Sequence, residues 1–500
     1  MKACVLGILF LVRGVGFGQP INVPWYGYGK DAQHTATAAN ASQPLHTIHW
    51  STPVDLNKPQ GELFIHYASP MVTAANTVFV PVKLWQNGTD GFKIQAFAAG
   101  VRGTSPAPLY ELSSDYVLPP HNWTPAFPAS LSLRNRLYYA GSGGTVYYRD
   151  QVDSATGPAG RIAFFGNAEY STNSAAYNST VQISTPLVND RYGDIYFGFT
   201  VTGDNPLHLA SGVARISANG AGSWVSAQSA AGDPTMTLVA MNSAPVLSTD
   251  QRVVYFVATD GAGGYLVSVN STSLAPMSRV KLFDPSTGNP ATVSADSSAA
   301  PIVGPDGDVY FGVLETPCCS SHNDRGWLLH FNSTLTQTKT PGSFGWDTTP
   351  SVVPKNSVPS YGGHSSYLLV MKYNNYAGIG SGDGRNRVAM LDPNAIMPDP
   401  IQPSVNVMKE VMTVLGVTPE GAPPAVKEWC INSAAIDPFT KSAIVNSEDG
   451  NVYRWDFVSG NLTQSVNLNP PIGEAYTPTV IGPDGTVFAI NDGILYGIGN

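Results

Sequence analysis

Charged residues, basic clusters and long apolar runs are all scarce in this chain of 500 residues. Charged side chains make up 12% of it, and the formal net charge is −9. A chain of this charge, without a basic patch, has no surface suited to nucleic acid or to an anionic membrane. Beyond the first residues, no apolar run approaches the ~20 residues that a membrane span needs. We therefore expect neither a nucleic-acid partner nor a membrane span.

Cysteine is also rare, and its spacing excludes several classes of protein. Besides Cys4, the chain has only the adjacent pair Cys318 and Cys319 and a distant Cys430. This is not the framework of a disulfide-stapled protein, and without a Cys-x-x-Cys-His motif no covalently attached haem is expected. Two pairings stay open: a bond between Cys318 and Cys319, or a bond from one of them to Cys430. No Gly-x-Ser-x-Gly, His-Glu-x-x-His or phosphate-loop motif occurs.

The first residues follow the pattern of a secretory signal. Lys2 supplies a positive end, residues 3–12 are an apolar run, and Gly16 and Gly18 are small residues near a cleavage point. We therefore expect a signal peptide at 1–18 and a loop segment at 19–46. The protein is expected to be secreted, to the extracellular space or the periplasm, and to be a monomer.

What the chain does have is a repeat of paired strands. A small residue and a proline open an apolar strand, and about ten residues later a second strand is centred on an aromatic. Clear copies start at Pro70, Pro186, Pro245, Pro301 and Pro478, and weaker ones at Pro125, Pro350 and Ala435. One small sheet cannot bury both faces, so such repeats must stack on their neighbours. We predict an all-β fold over 47–500, a single eight-bladed β-propeller of four-stranded blades.

Two segments depart from the repeat. A lone strand around Trp50 precedes the first copy, whereas the last copy is one strand short, so the early strand is predicted to complete the last blade. The interval after Pro350 is unusually long and contains a Pro-rich stretch. We expect a surface insertion at about 392–427, with a possible short helix near residues 405–417.

Propeller geometry turns the repeat into a prediction of a site. The loop before a blade's first strand, here the leading loop, lies on the same face as the loop between its second and third strands. Turns favour Gly, Asn, Asp and Ser, yet these loops are rich in aromatic, amide, His and carboxylate side chains: His66, His121, Trp123, Trp346, Asp347, Glu428, Trp429, Asn432, Glu474 and Tyr476. The candidates for acid–base catalysis among them are Asp347, Glu428, Glu474 and His121.

The loops between second and third strands are long in blades 1, 3, 5 and 6, and long loops above a rigid ring commonly build binding surfaces. The blade 5 loop carries Cys318 and Cys319. The blade 6 loop opens with residues that hydrogen-bond and stack, namely Lys372, Tyr373, Asn374 and Asn375. Such side chains suit a polar ligand such as a carbohydrate. A loop whose amides support its own backbone would have the same composition.

Four segments of the chain match a known pattern: residues 25–35 (WYGYGKDAQHT), 48–51 (IHWS), 300–312 (APIVGPDGDVYFG) and 478–488 (PTVIGPDGTVF). In these segments the chain resembles the PQQ-like (quinoprotein alcohol dehydrogenase-like) superfamily of eight-bladed propellers. The resemblance covers nearly the whole mature chain and implies the fold. The family's docking repeat survives only in traces, such as residues 455–460 (WDFVSG), and a fold this widely shared does not assign chemistry.

The resemblance also implies a site. In quinoprotein methanol dehydrogenases a disulfide between adjacent cysteines covers the quinone. By residue type, a quinone would stack between that disulfide and Trp123, Trp346 or Trp429. Calcium would be held by Asn432 with Glu428 or Glu474. In that scheme Asp347 is the base and Lys372 donates to a quinone oxygen.

Three functions follow from these observations. The first is a secreted propeller that binds a polar small molecule, a carbohydrate or a protein partner at the face of the leading loops. The second is an oxidoreductase of alcohols or sugars that depends on PQQ and Ca²⁺. The third is an extracellular polysaccharide lyase or hydrolase. The absence of a complete catalytic motif favours the first.

Overall fold

The structure, a computed structural model, describes residues 22–56, 68–86, 88–122, 124–294, 299–319, 321–468 and 478–500. These residues form eight sheets, each a blade of one ring. This confirms the predicted all-β, eight-bladed propeller. No helix within the described ranges is long and apolar enough to cross a membrane.

The first four blades follow the chain in order. Blade 1 contains Asp55–Leu56, Met71–Val72, Val78–Gln86, Thr89–Phe97 and Tyr110–Ser114. Blade 2 contains Ala129–Leu131, Leu137–Ala140, Thr145–Arg149 and Ala159–Ala163. Blade 3 contains Val181–Ile183, Val188–Asn189, Ile195–Val201, Gly212–Ile216 and Gly222–Ser226. Blade 4 contains Leu238–Val239, Val246–Leu247, Val253–Thr259, Gly264–Asn270 and Pro276–Lys281.

The other four blades complete the ring. Blade 5 contains Ile302–Val303, Val309–Val313 and Trp327–Phe331. Blade 6 contains Ser351–Pro354, Tyr367–Tyr373, Arg387–Pro398 and Asn406–Leu415. Blade 7 contains Ala435–Asp437, Ser442–Asn446, Asn451–Asp456 and Leu462–Asn467. Blade 8 contains Val480–Ile481, Val487–Asn491, Ile494–Gly499, Thr47–Pro53 and Gly103–Thr104.

Within the described ranges, helices are few and lie in the connections between strands. The α-helices are Asn167–Thr180 and Ala227–Ala231, and the 3₁₀ turns are Ser142–Gly144 and Lys355–Ser357. The longer helix is rich in Asn, Ser and Thr and buries only Tyr177. It therefore lacks the apolar stripe by which helices are found in sequences.

Burial decreases from the inner to the outer strands. Inner strands such as Val309–Val313 are wholly buried, because neighbouring blades cover both of their faces. Outer strands such as Leu462–Asn467 alternate between partly buried and exposed positions. The apolar side chains accordingly pack between blades, in clusters that join successive sheets.

The sequence misplaced two features of the repeat. The first strand of blade 2, Ala129–Leu131, follows Pro128 and not Pro125, so the predicted start is early. The short helix expected near residues 405–417 is wrong, because Asn406–Leu415 pairs antiparallel with Arg387–Pro398. Much of the expected insertion at 392–427 is therefore the outer half of the blade 6 sheet. Its Pro-rich end, after Leu415, is a loop beside blade 7.

The early strand and the last strand share a sheet. Thr47–Pro53 runs antiparallel to Ile494–Gly499, in register from Thr47 opposite Gly499 to Pro53 opposite Ile494. Trp50 is buried between blades, its ring 5.0 Å from Phe97 of blade 1 and 6.1 Å from Phe488 of blade 8. The two ends of the repeat array therefore meet in blade 8.

The segment 25–43 crosses the inner strands of nearly every blade. Its backbone hydrogen-bonds the first strands of blades 1, 2, 4, 5, 6 and 7, at Val72, Leu131, Leu247, Val303, Val352 and Ile436. These contacts lie at or near the ends of those short strands, away from the leading loops. From this segment the buried Tyr28 hydroxyl bonds Thr349 and Asn432, each at 2.7 Å. The segment thus lies across the far side of the channel, and Tyr28 points towards the leading loops.

Candidate functional site

A cavity of about 780 Å³ opens between blades 5, 6 and 7. Its acidic side chains are Asp324, Asp383, Glu420 and Glu428, and its aromatic ones are Trp346 and Tyr376. We call it the carboxylate cavity. Trp346 and Glu428 come from leading loops and the aspartates from second-to-third-strand loops, so the cavity opens on the face that the sequence predicted.

A buried carboxylate holds the blade 5 loop in shape. Glu315 accepts hydrogen bonds from the backbone N–H groups of His322, Asp324 and Gly326, at 3.2, 2.8 and 2.7 Å. These bonds fold the loop back on itself and place Asp324 at the cavity wall. Burial and the charge of Glu315 raise the pKa of Asp324 to about 6.

The adjacent cysteines lie on the same loop and are bonded to each other, whereas Cys430 is a buried free thiol. Of the two pairings left open by the sequence, the structure has the bond between neighbours. Cys318 and Cys319 are exposed, and their sulfurs lie within 4.8 Å of a carboxylate oxygen of Asp324. The disulfide is therefore at the rim of the carboxylate cavity.

The leading loop of blade 6 supplies the aromatic wall. The backbone N–H groups of Gly345 and Trp346 both bond the carbonyl of Arg325, at 2.7 and 3.1 Å, which ties this loop to blade 5. Trp346 stays partly exposed towards the cavity. Asp347 is buried. Burial raises the pKa of Tyr28 and of Tyr376, and the charge of Asp347 adds to both increases.

The leading loop of blade 7 positions Glu428. Its carbonyl accepts hydrogen bonds from the backbone of Glu448 at 3.1 Å and from the Ser447 hydroxyl at 3.3 Å. The Cys430 thiol donates to Glu448 at 2.9 Å. Burial first, and then the charge of Glu448, raise the pKa of Glu428 to about 7, although Lys372 acts in the opposite direction.

The cavity therefore contains two carboxyl groups that change protonation near neutral pH, Asp324 and Glu428. Such groups can both donate and accept hydrogen bonds under mild conditions, which suits ligand hydroxyls and is a requirement of acid–base catalysis. Perturbed carboxyls in a cleft are a recurrent mark of functional sites.

A second cavity, of about 410 Å³, lies on the other side of the blade 6 loop. Its charged side chains are Arg325, Arg385, Arg387, Asp383 and Glu410, and Tyr373 and Asn375 also line it. We call it the arginine cavity. Asp383 lines both cavities, so the two share a wall.

Several predicted residues are buried behind the cavity and contact the protein rather than the cavity. Asn374 is buried and exchanges two hydrogen bonds with the backbone of Trp429, at 3.2 and 3.3 Å. Trp429 is itself fully buried and donates to the carbonyl of Asn386, so its ring presents no face to a ligand. The Asn432 side chain accepts a hydrogen bond from the Tyr28 hydroxyl. Lys372 is buried, and its charge acts to lower the pKa values of Glu428 and Cys430, against the effect of burial.

Other predicted residues lie apart. His121 is exposed before blade 2, its Nδ1 lies 2.6 Å from the carbonyl of Pro119, and it lines neither cavity. A ring of eight blades places blade 2 opposite blade 6. Only a large ligand could therefore contact both His121 and Glu428. The predicted residues His66, Trp123, Glu474 and Tyr476 lie outside the described residues.

The predicted site residues leave out several that line the two cavities. Tyr376 belongs to the same run of hydrogen-bonding and stacking residues as Lys372, and Asp324 lies close behind the cysteine pair, yet neither was among the predicted site residues. Asp383 and Arg385 were not predicted either. Arg387 begins a strand, and only the long pairing in blade 6 shows that it faces the same space.

Comparison with known proteins places the fold. No protein-family model matches the chain, and no curated protein matches it in sequence. A europium-containing methanol dehydrogenase is similar in structure at 9% identity, with a TM-score of 0.56 over 94% of this chain and 89% of that one. A quinohemoprotein alcohol dehydrogenase from Comamonas testosteroni is similar at 10% identity, with a TM-score of 0.55 over 96% and 81%. In fold, the chain is an eight-bladed propeller similar to these two dehydrogenases.

Proposed function

We propose that this protein binds a saccharide in the carboxylate cavity. The observation that carries the proposal is the combination of two aromatic side chains, Trp346 and Tyr376, with four carboxylates around one cavity of about 780 Å³. This volume lies in the usual range for small-ligand sites.

The chemistry of the wall matches sugar rings. The faces of Trp and Tyr offer apolar area to the C–H side of a sugar, while carboxyl oxygens bond its hydroxyls. Part of the acidic wall is already satisfied within the protein: Glu420 pairs with Lys427, and Asp383 accepts from Asn375 at 2.8 Å. Asp324 and Glu428 remain the carboxyl groups best placed for a ligand.

A binding assay on purified protein tests this proposal. We expect a glycan panel to yield at least one oligosaccharide whose Kd, measured by calorimetry, rises by about fivefold or more in Trp346→Ala, because stacking on an aromatic contributes ~1 kcal/mol or more. Trp224→Ala is the matched control, since Trp224 is partly buried on the outer strand of blade 3. Equal affinities of wild type and Trp346→Ala would overturn the proposal.

The fold family raises the question of a quinone cofactor. Pyrroloquinoline quinone carries three carboxylates, whereas no Lys or Arg is among the described residues that line the carboxylate cavity. Lys427 is paired with Glu420, and Lys372 is buried. The wall therefore does not fit this anion, and we derive no step through it. Glu428 forms a cluster of possible metal ligands with Glu448 and Cys430, and its carboxylate oxygens would suit a hard cation such as Ca²⁺.

Oxidation of an alcohol or a sugar with PQQ and Ca²⁺ is the second candidate. The structural relatives are dehydrogenases by name, and the bonded pair Cys318–Cys319 at the cavity rim favours this function. Purified protein mixed with PQQ and CaCl₂ is examined for a change in the absorption spectrum and for dye-linked alcohol oxidation. A spectral change and turnover, both lost in Cys318→Ser, would establish it. The absence of both signals in the wild-type protein would exclude this function.

Cleavage of a bound polysaccharide is the third candidate. It is favoured by the raised pKa values of Asp324 and Glu428, which line the same cavity. Incubation of each saccharide that binds, followed by detection of new reducing ends, separates binding from hydrolysis or elimination. New ends that disappear in Glu428→Gln would assign catalysis to the cavity. Binding without new ends restricts the function to recognition.

A further inference from the structure

We propose that the arginine cavity binds carboxylate groups of the saccharide held in the carboxylate cavity, so that the ligand is an acidic oligosaccharide such as a uronic-acid oligomer. This inference rests on the proposed function and specifies its ligand class. The described cations of the cavity are Arg325, Arg385 and Arg387, and the described acids facing them are Asp383 and Glu410.

Arg325 is a buried cation without a carboxylate partner among the residues that the structure describes. It is 3% exposed, and its guanidinium donates to the carbonyls of Ser343 and Asn374 at 3.0 and 2.6 Å, with a longer contact of 3.4 Å to the Ser343 hydroxyl. Its Cζ lies over the Tyr373 ring, 4.2 Å from the ring centroid. A guanidinium has five N–H donors, so two remain without a hydrogen bond among the described residues. A buried charge is stabilised when an opposite charge meets it.

Tyr373 gives independent evidence for a ligand. It lines the arginine cavity, is 2% exposed, and its hydroxyl makes no hydrogen bond among the described residues. Buried hydroxyls normally have a partner, because an unpaired one forfeits its interaction with water. A carboxylate in the cavity would accept from both the Tyr373 hydroxyl and the Arg325 guanidinium.

Two features make a carboxylate the matching group. The fork of an arginine binds a planar carboxylate through two parallel hydrogen bonds, and three such forks line one small space. The arginine cavity also adjoins the proposed sugar site, because Asp383 lines both cavities. The loops of blades 5 and 6 are joined there by a hydrogen bond of 3.0 Å from the Asn323 side chain to the Asn375 side chain. Successive sugar units of one chain could therefore place hydroxyls in one cavity and a carboxylate in the other.

The test compares two tetrasaccharides of equal length, galacturonic acid and neutral galactose, by calorimetry. We expect the acidic tetramer to bind wild type at least about tenfold more tightly than the neutral one, since hydrogen bonds to charged groups exceed neutral ones. This preference should shrink by about fivefold or more in Arg385→Gln and Arg387→Gln. Arg279→Gln, an exposed arginine on the outer strand of blade 4, should retain it.

Tyr373→Phe separates a binding role from a structural one. Because the Tyr373 hydroxyl has no hydrogen-bond partner among the described residues, its removal should leave the Tm unchanged or higher, yet weaken binding of the acidic tetramer about threefold or more. Equal affinity for both tetramers, or a preference unchanged in all three variants, would overturn the anion site while the proposed saccharide binding stands. If neither tetramer nor any other saccharide binds, the proposed function fails as well.

Discussion

At the scale of single residues, the ionisation of Glu428 should control stability. Its pKa in the folded protein is about 7, above the ordinary value of 4.5. The folded state therefore holds this proton more tightly than the unfolded state, so the contribution to stability is present below pH ~4.5 and is lost as pH rises through ~7. Above neutral pH, the half-buried charge of Glu428 is repelled by Glu448, and the attraction of Lys372 only partly offsets that repulsion and the cost of burial.

Glu428→Gln removes that charge. We expect the free energy of unfolding at pH 8 to rise by about 1–2 kcal/mol relative to wild type, because the amide needs no ionisation. At pH 4.5 the two proteins should be alike, which makes the low-pH measurement the internal control. Denaturant melts at both pH values check this prediction. A variant less stable than wild type at pH 8 would contradict the assignment of the raised pKa.

The same residues show how far the sequence reached. Trp346, Asp347 and Glu428 were singled out because aromatic and acidic side chains are unusual in turns, and the structure does bring them to one side of the ring. The sequence did not distinguish ligand-facing residues from supporting ones. Trp429 and Asn374 have the right chemistry but face inwards, since a one-residue change along an extended loop reverses the direction of a side chain.

At the scale of elements, the segment 25–43 acts as a brace across the channel. The sequence predicted only a loop there, because the segment has no periodicity of its own. Its order comes from backbone hydrogen bonds to strands that are far away in the chain. Such partners cannot be read from local composition.

Tyr28→Phe tests this bracing role. Loss of the hydroxyl removes its two buried hydrogen bonds, to Thr349 and Asn432, so we expect the free energy of unfolding to fall by about 1–3 kcal/mol. Tyr26→Phe on the same segment is the control, because Tyr26 is only partly buried. Guanidinium chloride melts of the three proteins are compared. Equal midpoints for all of them would show that the segment is not needed for stability.

Elements also explain two incorrect predictions. The segment around residues 405–417 was expected to form a helix, but its Val and Met side chains pair in the blade 6 sheet, where cross-strand packing overrides local preference. The helix Asn167–Thr180 was missed for the opposite reason. Its Glu169 accepts from Asn173 and Tyr177, so polar contacts and not an apolar stripe stabilise it.

At the scale of the whole molecule, stability should depend on the shared sheet of blade 8. Trp50 is buried where blades 8 and 1 meet and packs against Phe97 and Phe488. Trp50→Ala should lower the free energy of unfolding by about 3–5 kcal/mol, as truncation of a large buried aromatic does. Trp224→Ala, at a partly buried position, should cost less. A loss confined to Trp224→Ala would contradict the role of this contact.

The ring itself could be predicted well, because the repeat of small residue, proline and paired strands recurs with each blade. The site could be predicted only in part. Its two cavities arise from loops of blades 5, 6 and 7 that meet in space, and their exact neighbours depend on contacts such as Glu315 with the backbone of Asp324. Such contacts cannot be predicted from the spacing of residues in the sequence.

The most direct test of the account is a crystal structure of the protein with a bound oligosaccharide chosen by calorimetry. We predict a sugar ring against Trp346 and Tyr376, with its hydroxyls within hydrogen-bonding distance of Asp324 or Glu428. A saccharide that binds tightly in solution but occupies another part of the ring in the crystal would contradict it.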